Sequence, residues 1–357
     1  MKKLLALAVA AIMILSLAAC GSPEEVQPEE QVDYEIAMVT ETGLIMNGGY
    51  SKVAWDTISS FGEKKGVSHK YYKAAEASED AYRQVIDNAV AGGAKLVVAD
   101  GYLFSQVVYE KQKEYPDVKF VLIDAAPMDE ESGDVKVTKN TVEVTFASEQ
   151  AGYLAGYAAV KDGMTNLGYL GDSKVPLAID YGYGFLQGAD KAAGEMGKTV
   201  NISYRYSNSK EDSEAVRTAA QQWYDGGIEV IFACGNKVEL PVIEAAEMTD
   251  KKVIGYETDK SQMSDTVVTS AGKDIKALES VLDQYEDDKF PGGTTVEYNA
   301  GNDGVWLEMD NAKLTNFSKS DYNGIVKELK NGDITVKKYD SGDIASLGLT
   351  HVKVTEQ

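Results

Sequence analysis

Short apolar runs alternate with helix-length amphipathic segments along this chain of 357 residues. Runs such as 95–99 (KLVVA) and 228–233 (IEVIFA) are almost continuously apolar, which is typical of parallel strands covered on both faces. In the segment 147–161, Ala and Leu recur at the spacing of one helix face. The alternation predicts an α/β fold of open parallel sheets with right-handed crossovers.

The alternation occurs in two blocks, roughly 34–145 and 146–258, and this predicts two α/β lobes. The length supports the same conclusion, because a single core stops growing well below 357 residues. The tail 300–357 has no strong period and is expected to form irregular edges and short strands. Ligands of parallel sheets bind beyond the carboxyl ends of the strands, so the strand-end loops are the candidate site positions.

The first 19 residues have the pattern of an export signal. Two lysines precede an apolar run that is too short to span a bilayer, and small residues follow it up to Cys20. The sequence LAAC at 17–20 resembles the bacterial lipobox, in which the signal is cut before the cysteine and the thiol carries a diacylglycerol. We therefore expect a lipoprotein signal peptide over 1–19 and lipidation at Cys20. The alternative is a plain signal peptide in which Cys20 is incidental.

Residues 20–33 are predicted to form a disordered tether. This stretch has two prolines, five acidic residues and almost no apolar side chains, so it cannot bury enough surface to become ordered. A lipid anchor followed by such a tether predicts a domain at the extracellular face of a bacterial cytoplasmic membrane, or in the periplasm of a Gram-negative cell.

The charge and the cysteine and histidine content exclude several function classes. A formal net charge of −22 repels phosphate backbones, so no nucleic-acid binding is expected, and a neutral or cationic ligand is favoured. If Cys20 is lipidated, Cys234 has no partner for an intramolecular disulfide. His69 and His351 have no partners at metal-ligand spacing. We therefore expect no metal, no cofactor and no catalytic residue.

Motifs at the predicted strand ends resemble the basic membrane protein family, which comprises purine-nucleoside receptor lipoproteins of ABC transporters. That family opens with VTDTGG-x-D-D-K-S-F-N-Q-x-A-W, and this chain has VTETG at 39–43 and NGGYS at 47–51. The resemblance covers about residues 34–275. Later segments that agree in order are YPDVKF at 115–120, EQAGYLAG at 149–156, the stretch 176–188, VIGYETD at 253–259 and SAGK at 270–273.

The resemblance implies a type I periplasmic-binding-protein fold. In that fold two doubly wound parallel-sheet lobes are joined by crossing strands, and the ligand lies in the cleft between them. Lobe 1 is then expected to comprise 34–145 plus about 259–292. Lobe 2 is expected to comprise 146–258 plus about 293–357.

The resemblance also assigns site residues. It implies that Tyr50 and Tyr181 sandwich a base, which suits any flat heterocycle. Asn47 stands where the family usually has Asp, and Ser51 stands where Asn is usual, so the identity of the base stays open. The alternative for either tyrosine is simple packing at a lobe edge.

The remaining predicted ligand contacts are polar or backbone contacts. Asp124 and Glu257 suit a ribose diol, because a carboxylate accepts two hydroxyl hydrogen bonds at once. Lys273 can hold these carboxylates or bond a ring oxygen, and Gly235 lets backbone amides approach the ligand. The alternative is a set of loop charges that cap helices or pair with one another.

The sequence thus predicts a lipid-anchored, monomeric extracellular solute-binding protein of an ABC importer. Its partners are a nucleoside-like small molecule, a purine nucleoside first, and an ABC permease. Three alternatives stay open at this stage: a binding protein for another planar ligand such as a flavin, a signalling or adhesion lipoprotein that has lost transport, and an enzyme that acts on nucleosides.

Overall fold

Two β-sheets organise the residues that the computed structural model describes, which are 33–42, 49–207, 212–340 and 342–357. The unit that contains both sheets extends over Tyr34–Gln357, and the sequence predicts the globular part to begin at Tyr34. The predicted signal peptide, most of the tether with Cys20, and Asn47 lie outside the described residues.

The first sheet consists of β1 (Ile36–Thr40), β2 (His69–Lys73), β3 (Leu96–Asp100), β4 (Lys119–Ile123), β5 (Thr141–Phe146) and β11 (Thr294–Tyr298). These six strands run parallel in the order β11-β5-β4-β3-β1-β2. Strands β1, β3 and β4 are almost wholly buried, whereas the edge strand β2 is largely exposed. Burial on both faces explains why the central strands are apolar without alternation.

The second sheet consists of β6 (Asn166–Gly171), β7 (Val200–Tyr206), β8 (Val230–Cys234), β9 (Lys252–Glu257), β10 (Val267–Lys273), β12 (Val305–Leu307) and β13 (Val352–Glu356). The order is β12-β10-β9-β8-β6-β7-β13, and β12 alone among them is antiparallel to its neighbour. The first five strands of each sheet share one arrangement, with β2-β1-β3-β4-β5 matched by β7-β6-β8-β9-β10.

Nine α-helices connect these strands within the described residues. The spacing of apolar residues predicts helices over 50–65, 77–91, 105–114, 147–161, 177–196, 211–226, 237–248, 273–287 and 319–331, and each agrees with an observed helix to within a few residues at either end. They are α1 (Gly49–Lys65), α2 (Glu79–Ala91), α3 (Ser105–Glu114), α4 (Ser148–Lys161), α5 (Pro176–Met196), α6 (Ser213–Asp225), α7 (Asn236–Thr249), α8 (Lys276–Glu286) and α9 (Lys319–Asn331).

The chain passes between the two sheets three times, after β5, after β10 and after β11. The predicted pair of doubly wound parallel sheets joined by crossing segments is therefore confirmed. Strand β10 lies in the stretch 259–292, which the sequence assigns to lobe 1, yet it pairs with β9 in the second sheet. The next strand, β11, pairs with β5 in the first sheet. The lobe boundaries themselves stay a prediction.

Strand β5, like β11, is an element that the sequence pattern missed. Its sequence TVEVTF alternates polar and apolar residues, which is the pattern of a half-exposed strand. Thr141 and Glu143 are nevertheless buried, and the Glu143 carboxylate accepts a hydrogen bond of 2.8 Å from the Thr295 hydroxyl on the neighbouring strand β11.

No helix in the described residues combines the length and the apolar character that crossing a bilayer requires.

Candidate functional site

The two sheets share one strand order, and each sheet has one position at which successive strands begin to be added on the opposite side. In the first sheet this position lies between β1 and β3, and in the second it lies between β6 and β8. The loops that leave adjacent strands there diverge to opposite faces of the sheet, which opens a crevice at the carboxyl ends of the strands. Strand order alone therefore places a ligand site at these two points.

A cavity of ≈ 350 Å³ lies at this place and takes its walls from both sheets. Its volume is within the range of small-molecule sites. The wall residues from the first sheet and its loops are Thr40, Glu41, Ser51, Asp100, Gly101, Tyr102, Ser105, Asp124, Ala125, Ala126 and Met128, and those from the second are Asp172, Pro176, Leu177, Gly235, Asn236, Tyr256 and Glu257.

Three buried charged residues join the two sheets beside the cavity. Lys273 ends β10, Glu257 ends β9, and Asp124 follows β4 in the opposite sheet. The Lys273 ammonium group pairs with Asp124 and, at 2.8 Å, with Glu257. Because side-chain exposure is at most 9% in all three, water is largely excluded and each charge is stabilised by the opposite charges beside it.

The pKa values in this ion cluster follow from burial and mutual proximity. Burial by itself raises the pKa of Glu257, but the Lys273 charge and hydrogen bonds to the carboxylate outweigh it, and the pKa is lowered. Burial raises the pKa of Asp124 in spite of the Lys273 ammonium. Burial by itself lowers the pKa of Lys273, but the neighbouring carboxylates raise it well above its ordinary value. The lysine is therefore a fixed positive charge.

Asp124 and Glu257 also share an uncommon backbone conformation. Their φ angles are 58° and 62°, in the left-handed region that side-chain-bearing residues rarely adopt. Such a conformation costs about 1–3 kcal/mol and persists where the surroundings hold it. In both residues it occurs directly at a strand end, where the carboxylate contacts both Lys273 and the cavity.

Ser51 and Asp100 form a second polar group on the wall from the first sheet. The Ser51 hydroxyl, in the first turn of α1, donates a hydrogen bond of 2.6 Å to Asp100 Oδ2 at the end of β3. Burial, together with the charges of Asp124 and Glu257, raises the pKa of Asp100 to about 7. This carboxyl group therefore titrates near neutral pH, unlike an ordinary aspartate.

Gly235 brings the backbone close to the Asp172 side chain, and its predicted approach to the ligand stays a prediction. It precedes α7 with φ of 132°, and a Cβ atom at this position would overlap the carboxyl group of Asp172. Gly235 and Asp172 both line the cavity. Only glycine satisfies both the backbone angle and the space here.

Tyr50 lies beside the ion cluster and not on the cavity wall. Its ring packs edge-on against Phe146 with centroids 5.7 Å apart, and the Lys273 ammonium lies 4.1 Å from its centroid. Its backbone N–H donates to Glu257 Oε2 at 3.4 Å, a contact between the N-terminus of α1 and the end of β9. No described residue hydrogen-bonds to its buried hydroxyl group.

Tyr181 is fully buried in α5 and is also absent from the cavity wall. Its ring packs edge-on against Tyr256, with centroids 5.2 Å apart, and Tyr256 lines the cavity. The hydroxyl group of Tyr181 likewise finds no hydrogen-bond partner among the described residues. The predicted aromatic sandwich of Tyr50 and Tyr181 stays a prediction.

The structure thus brings Ser51, Asp124, Gly235 and Glu257 to one cavity, with Lys273 in contact with two of them. Sequence reasoning placed the strand-end loops of Asp100 and Tyr256 among the candidate site positions but did not assign either residue a ligand contact. Asp100 ends its strand and Gly101 follows it, so the strand-end position was the available signal. Tyr256 directly precedes Glu257 at the end of β9 and carries no separate signal.

A family assignment is consistent with this geometry. The sequence pattern of the Bmp family, described as ABC transporter substrate-binding protein PnrA-like, matches residues 34–340. The chain belongs to the Bmp family. It is therefore a substrate-binding protein of an ABC transporter, with a small-molecule ligand and a permease as its partners. The family consists of binding proteins and not of enzymes.

Two relatives illustrate the similarity over most of the chain. An "ABC transporter nucleoside-binding protein BmpA" from Lactococcus lactis subsp. cremoris is 28% identical over 86% of this chain and 92% of that protein. "Basic membrane protein A2" from Borrelia garinii subsp. bavariensis is 26% identical over 84% of this chain and 88% of that protein.

The fold has close parallels among solved structures. A solute-binding protein of an ABC transporter system from Aeropyrum pernix K1 superposes with a TM-score of 0.72, covering 88% of this chain and 95% of that chain. The sequence identity is 17%, so this similarity concerns the fold alone. It confirms the predicted type I periplasmic-binding fold.

Proposed function

We propose that this chain is a lipid-anchored extracellular protein that captures a nucleoside, in the first place a purine nucleoside, for an ABC importer. The observation that carries the proposal is the contact of Asp124 and Glu257, from opposite sheets, with one lysine beside the cavity. The relative from Lactococcus lactis that is named nucleoside-binding adds support.

The carboxylates supply the acceptors that a ribose needs. A carboxylate has two oxygens and about four acceptor positions, so it can take both hydroxyl groups of a diol while one position bonds to lysine. Asp124 and Glu257 contact Lys273 and also line the cavity. This arrangement supports the sugar at the junction between the sheets.

The base is proposed to stack against the predicted pair of rings. Tyr50 and Tyr181 flank the ion cluster on different elements, α1 and α5. Both rings are buried behind the cavity wall, Tyr50 next to Lys273 and Tyr181 next to the wall residue Tyr256. The proposal requires the surrounding side chains to rearrange on binding so that the rings reach the base, and stacking contributes about 1–3 kcal/mol per base toward that rearrangement.

Binding is proposed to act by favouring the closed arrangement of the two lobes. Lys273 with Asp124, and the Tyr50 N–H with Glu257, already connect the two sheets. A ligand that contacts both sheets adds to these connections and shifts the equilibrium between open and closed forms. The permease then recognises the closed form.

The anchor and the oligomeric state belong to the same proposal. Cys20 carries the lipid, the acidic tether lets the domain reorient, and the chain acts as a monomer. Replacing Cys20 by Ala is expected to move the protein from the membrane fraction to the soluble fraction without changing its ligand affinity. Retention of the variant in the membrane fraction contradicts the anchor.

A thermal-shift panel tests the ligand class. Purine nucleosides at about 100 times their Kd should stabilise the fold by about 2.7 kcal/mol and raise Tm by several degrees. Flavins, sugars and amino acids complete the panel. Tyr50→Ala is expected to abolish the shift, and Tyr71→Ala, at an exposed edge-strand position, is the matched control.

The outcomes of the panel separate the alternatives. A shift with flavins alone favours the planar-ligand alternative, and a shift with sugars or amino acids alone contradicts the nucleoside proposal. Incubation with nucleosides followed by chromatography distinguishes a receptor from an enzyme, because only an enzyme releases free base. Nucleoside uptake by cells that lack the chain distinguishes transport from signalling.

A further inference from the structure

Thr40, Ser51 and Asp100 form a polar corner on the wall contributed by the first sheet. Thr40 and Asp100 follow the paired residues Val39 and Ala99 on the adjacent strands β1 and β3. The corner therefore lies at the point where the strand order of the first sheet reverses. All three residues line the cavity.

The corner has unused hydrogen-bonding capacity. The Ser51 hydroxyl gives Asp100 one donor, whereas a carboxylate accepts up to about four. The nearby ammonium of Lys273 is paired with Asp124 and Glu257, and none of the described residues forms an ion pair with Asp100. Within the described residues, Asp100 is thus a carboxylate near the ion cluster that has no cation of its own.

An independent observation also points to a missing partner. The Thr40 hydroxyl oxygen is buried and has no hydrogen-bond partner among the described residues, and Thr40 as a whole is 6% exposed. A buried polar atom without a partner costs about 1–3 kcal/mol. Thr40 itself lines the cavity, so a rotation of its side chain would bring this hydroxyl group to a ligand atom.

We propose that this corner recognises an amino group of the ligand, with Asp100 accepting an N–H hydrogen bond and Thr40 completing the contact. The inference rests on the proposed nucleoside function and refines it. Asp124 and Glu257 take the sugar, which leaves the corner to contact the base. The cleft then favours nucleosides whose base carries an exocyclic amino group over otherwise matched keto nucleosides.

The preference follows from the acceptor character of a carboxylate. An ionised Asp100 can accept from an amino group, but it repels a keto oxygen, which is also an acceptor. A site built to bond an N–H group rejects the analogue that lacks it, because the polar group of the site is left unpaired.

The protonation state of Asp100 makes the preference depend on pH. The groups that act on it are Lys273 from β10, Asp124 after β4, Glu257 from β9 and Ser51 from α1, and the combined effect of burial and these neighbours raises its pKa to about 7. Above that pH the carboxylate accepts only. Below it, the protonated group can donate to a keto oxygen, so the discrimination becomes weaker.

Calorimetric titration of the full chain with two matched ligand pairs tests the inference. The pairs are adenosine with inosine and cytidine with uridine. Each pair exchanges an amino group for a keto group and converts the neighbouring ring nitrogen from an acceptor into an N–H donor. At about pH 8 the amino member of any pair that binds should bind at least about tenfold more tightly. The ratio should fall at about pH 6 as Asp100 becomes protonated.

Asp100→Asn is the decisive variant. An amide can present either its oxygen or its NH₂ group, so the affinity ratio should fall close to one and lose its pH dependence while the nucleosides still bind. In Ser51→Ala the pH midpoint of the ratio should move upward, because the hydroxyl bond stabilises the ionised form.

The results distinguish this inference from the proposed function. If nucleosides bind but the amino-to-keto ratio is the same in Asp100→Asn as in the parent, the inference is overturned and the nucleoside function stands. A parent protein that prefers the keto members also overturns it. If none of the four nucleosides binds, both proposals fail together.

Discussion

Glu149 shows how burial changes the chemistry of one residue. It lies in the first turn of α4 with 2% exposure, and one of its carboxylate oxygens has no hydrogen-bond partner in the described chain. Burial raises its pKa to about 7, against the opposing effect of Lys338, while Asp180 and Glu297 raise it further. At pH values between the ordinary glutamate pKa and about 7, the folded state therefore keeps a proton that the unfolded state releases.

This difference in protonation predicts a pH-dependent stability. Between the ordinary glutamate pKa and about pH 7 the folded chain binds the extra proton, so the contribution of Glu149 to the free energy of unfolding falls as pH rises. Glu149→Gln removes that loss. We expect the variant to gain about 1–3 kcal/mol over the parent at pH 8 and little at pH 5.

Urea unfolding at both pH values measures this gain. The exposed Glu63→Gln in α1 is the control and should change stability equally at the two pH values. A Glu149→Gln variant whose stability difference from the parent is independent of pH is inconsistent with a buried proton at this position.

At the scale of elements, the tightest helix contact is the one between α4 and α5. Gly152 and Gly156 of α4 and Gly184 and Gly188 of α5 face the opposite helix, and a Cβ atom at any of them would overlap backbone atoms across the contact. At Gly152 the overlapped atom is the carbonyl oxygen of Tyr181. Packing against α4 therefore sets the position of a predicted ligand residue.

Replacement of Gly152 by Ala should separate the two helices. Overpacking of this kind costs about 1–3 kcal/mol, and it should also weaken ligand binding by displacing Tyr181. Gly324→Ala is the matched control, because Gly324 lies in α9 with open space around it. There the same change should stabilise the protein by roughly 0.5–1 kcal/mol. If thermal unfolding shows that Gly152→Ala and Gly324→Ala both raise Tm, or both lower it, this packing argument is contradicted.

The helices and central strands were predictable because their burial patterns are simple. In α4, Ala151, Leu154 and Ala158 are buried as their spacing indicates, although nearly all the other residues of this helix are buried as well. Strand β13 was not individually predictable, since VKVTE is a short, mostly exposed edge. Its pairing with β7 joins residues about 150 positions apart, and local pattern carries no information about such a partner.

At the scale of the whole molecule, the site depends on residues that are far apart in sequence. Asp124 and Lys273 are separated by 149 positions and meet only because the chain crosses between the sheets. Strand-end positions and the family resemblance were enough to propose both residues. The packing of the two sheets against one another determines the rest of the site. It buries this ion pair, brings Asp100 to the cavity wall and places Tyr50 behind Lys273.

The central claim is that a nucleoside binds where Lys273 joins the two sheets. A second buried pair, Lys260 with Glu239 at 2.7 Å, involves only β9, its following loop and α7, and so provides a matched control. Lys273→Met and Lys260→Met each leave buried carboxylates uncompensated, at a cost of about 3–5 kcal/mol in stability. Chemical denaturation identifies the conditions under which both variants are folded.

Calorimetric titration of the parent and these two variants with the best purine nucleoside of the panel is the most direct test. The account predicts saturable one-to-one binding to the parent, affinity within several-fold in Lys260→Met, and a loss of at least about 100-fold in Lys273→Met, since Lys273 orients both carboxylates. Parent-like affinity in folded Lys273→Met, or no nucleoside binding by the parent, contradicts it.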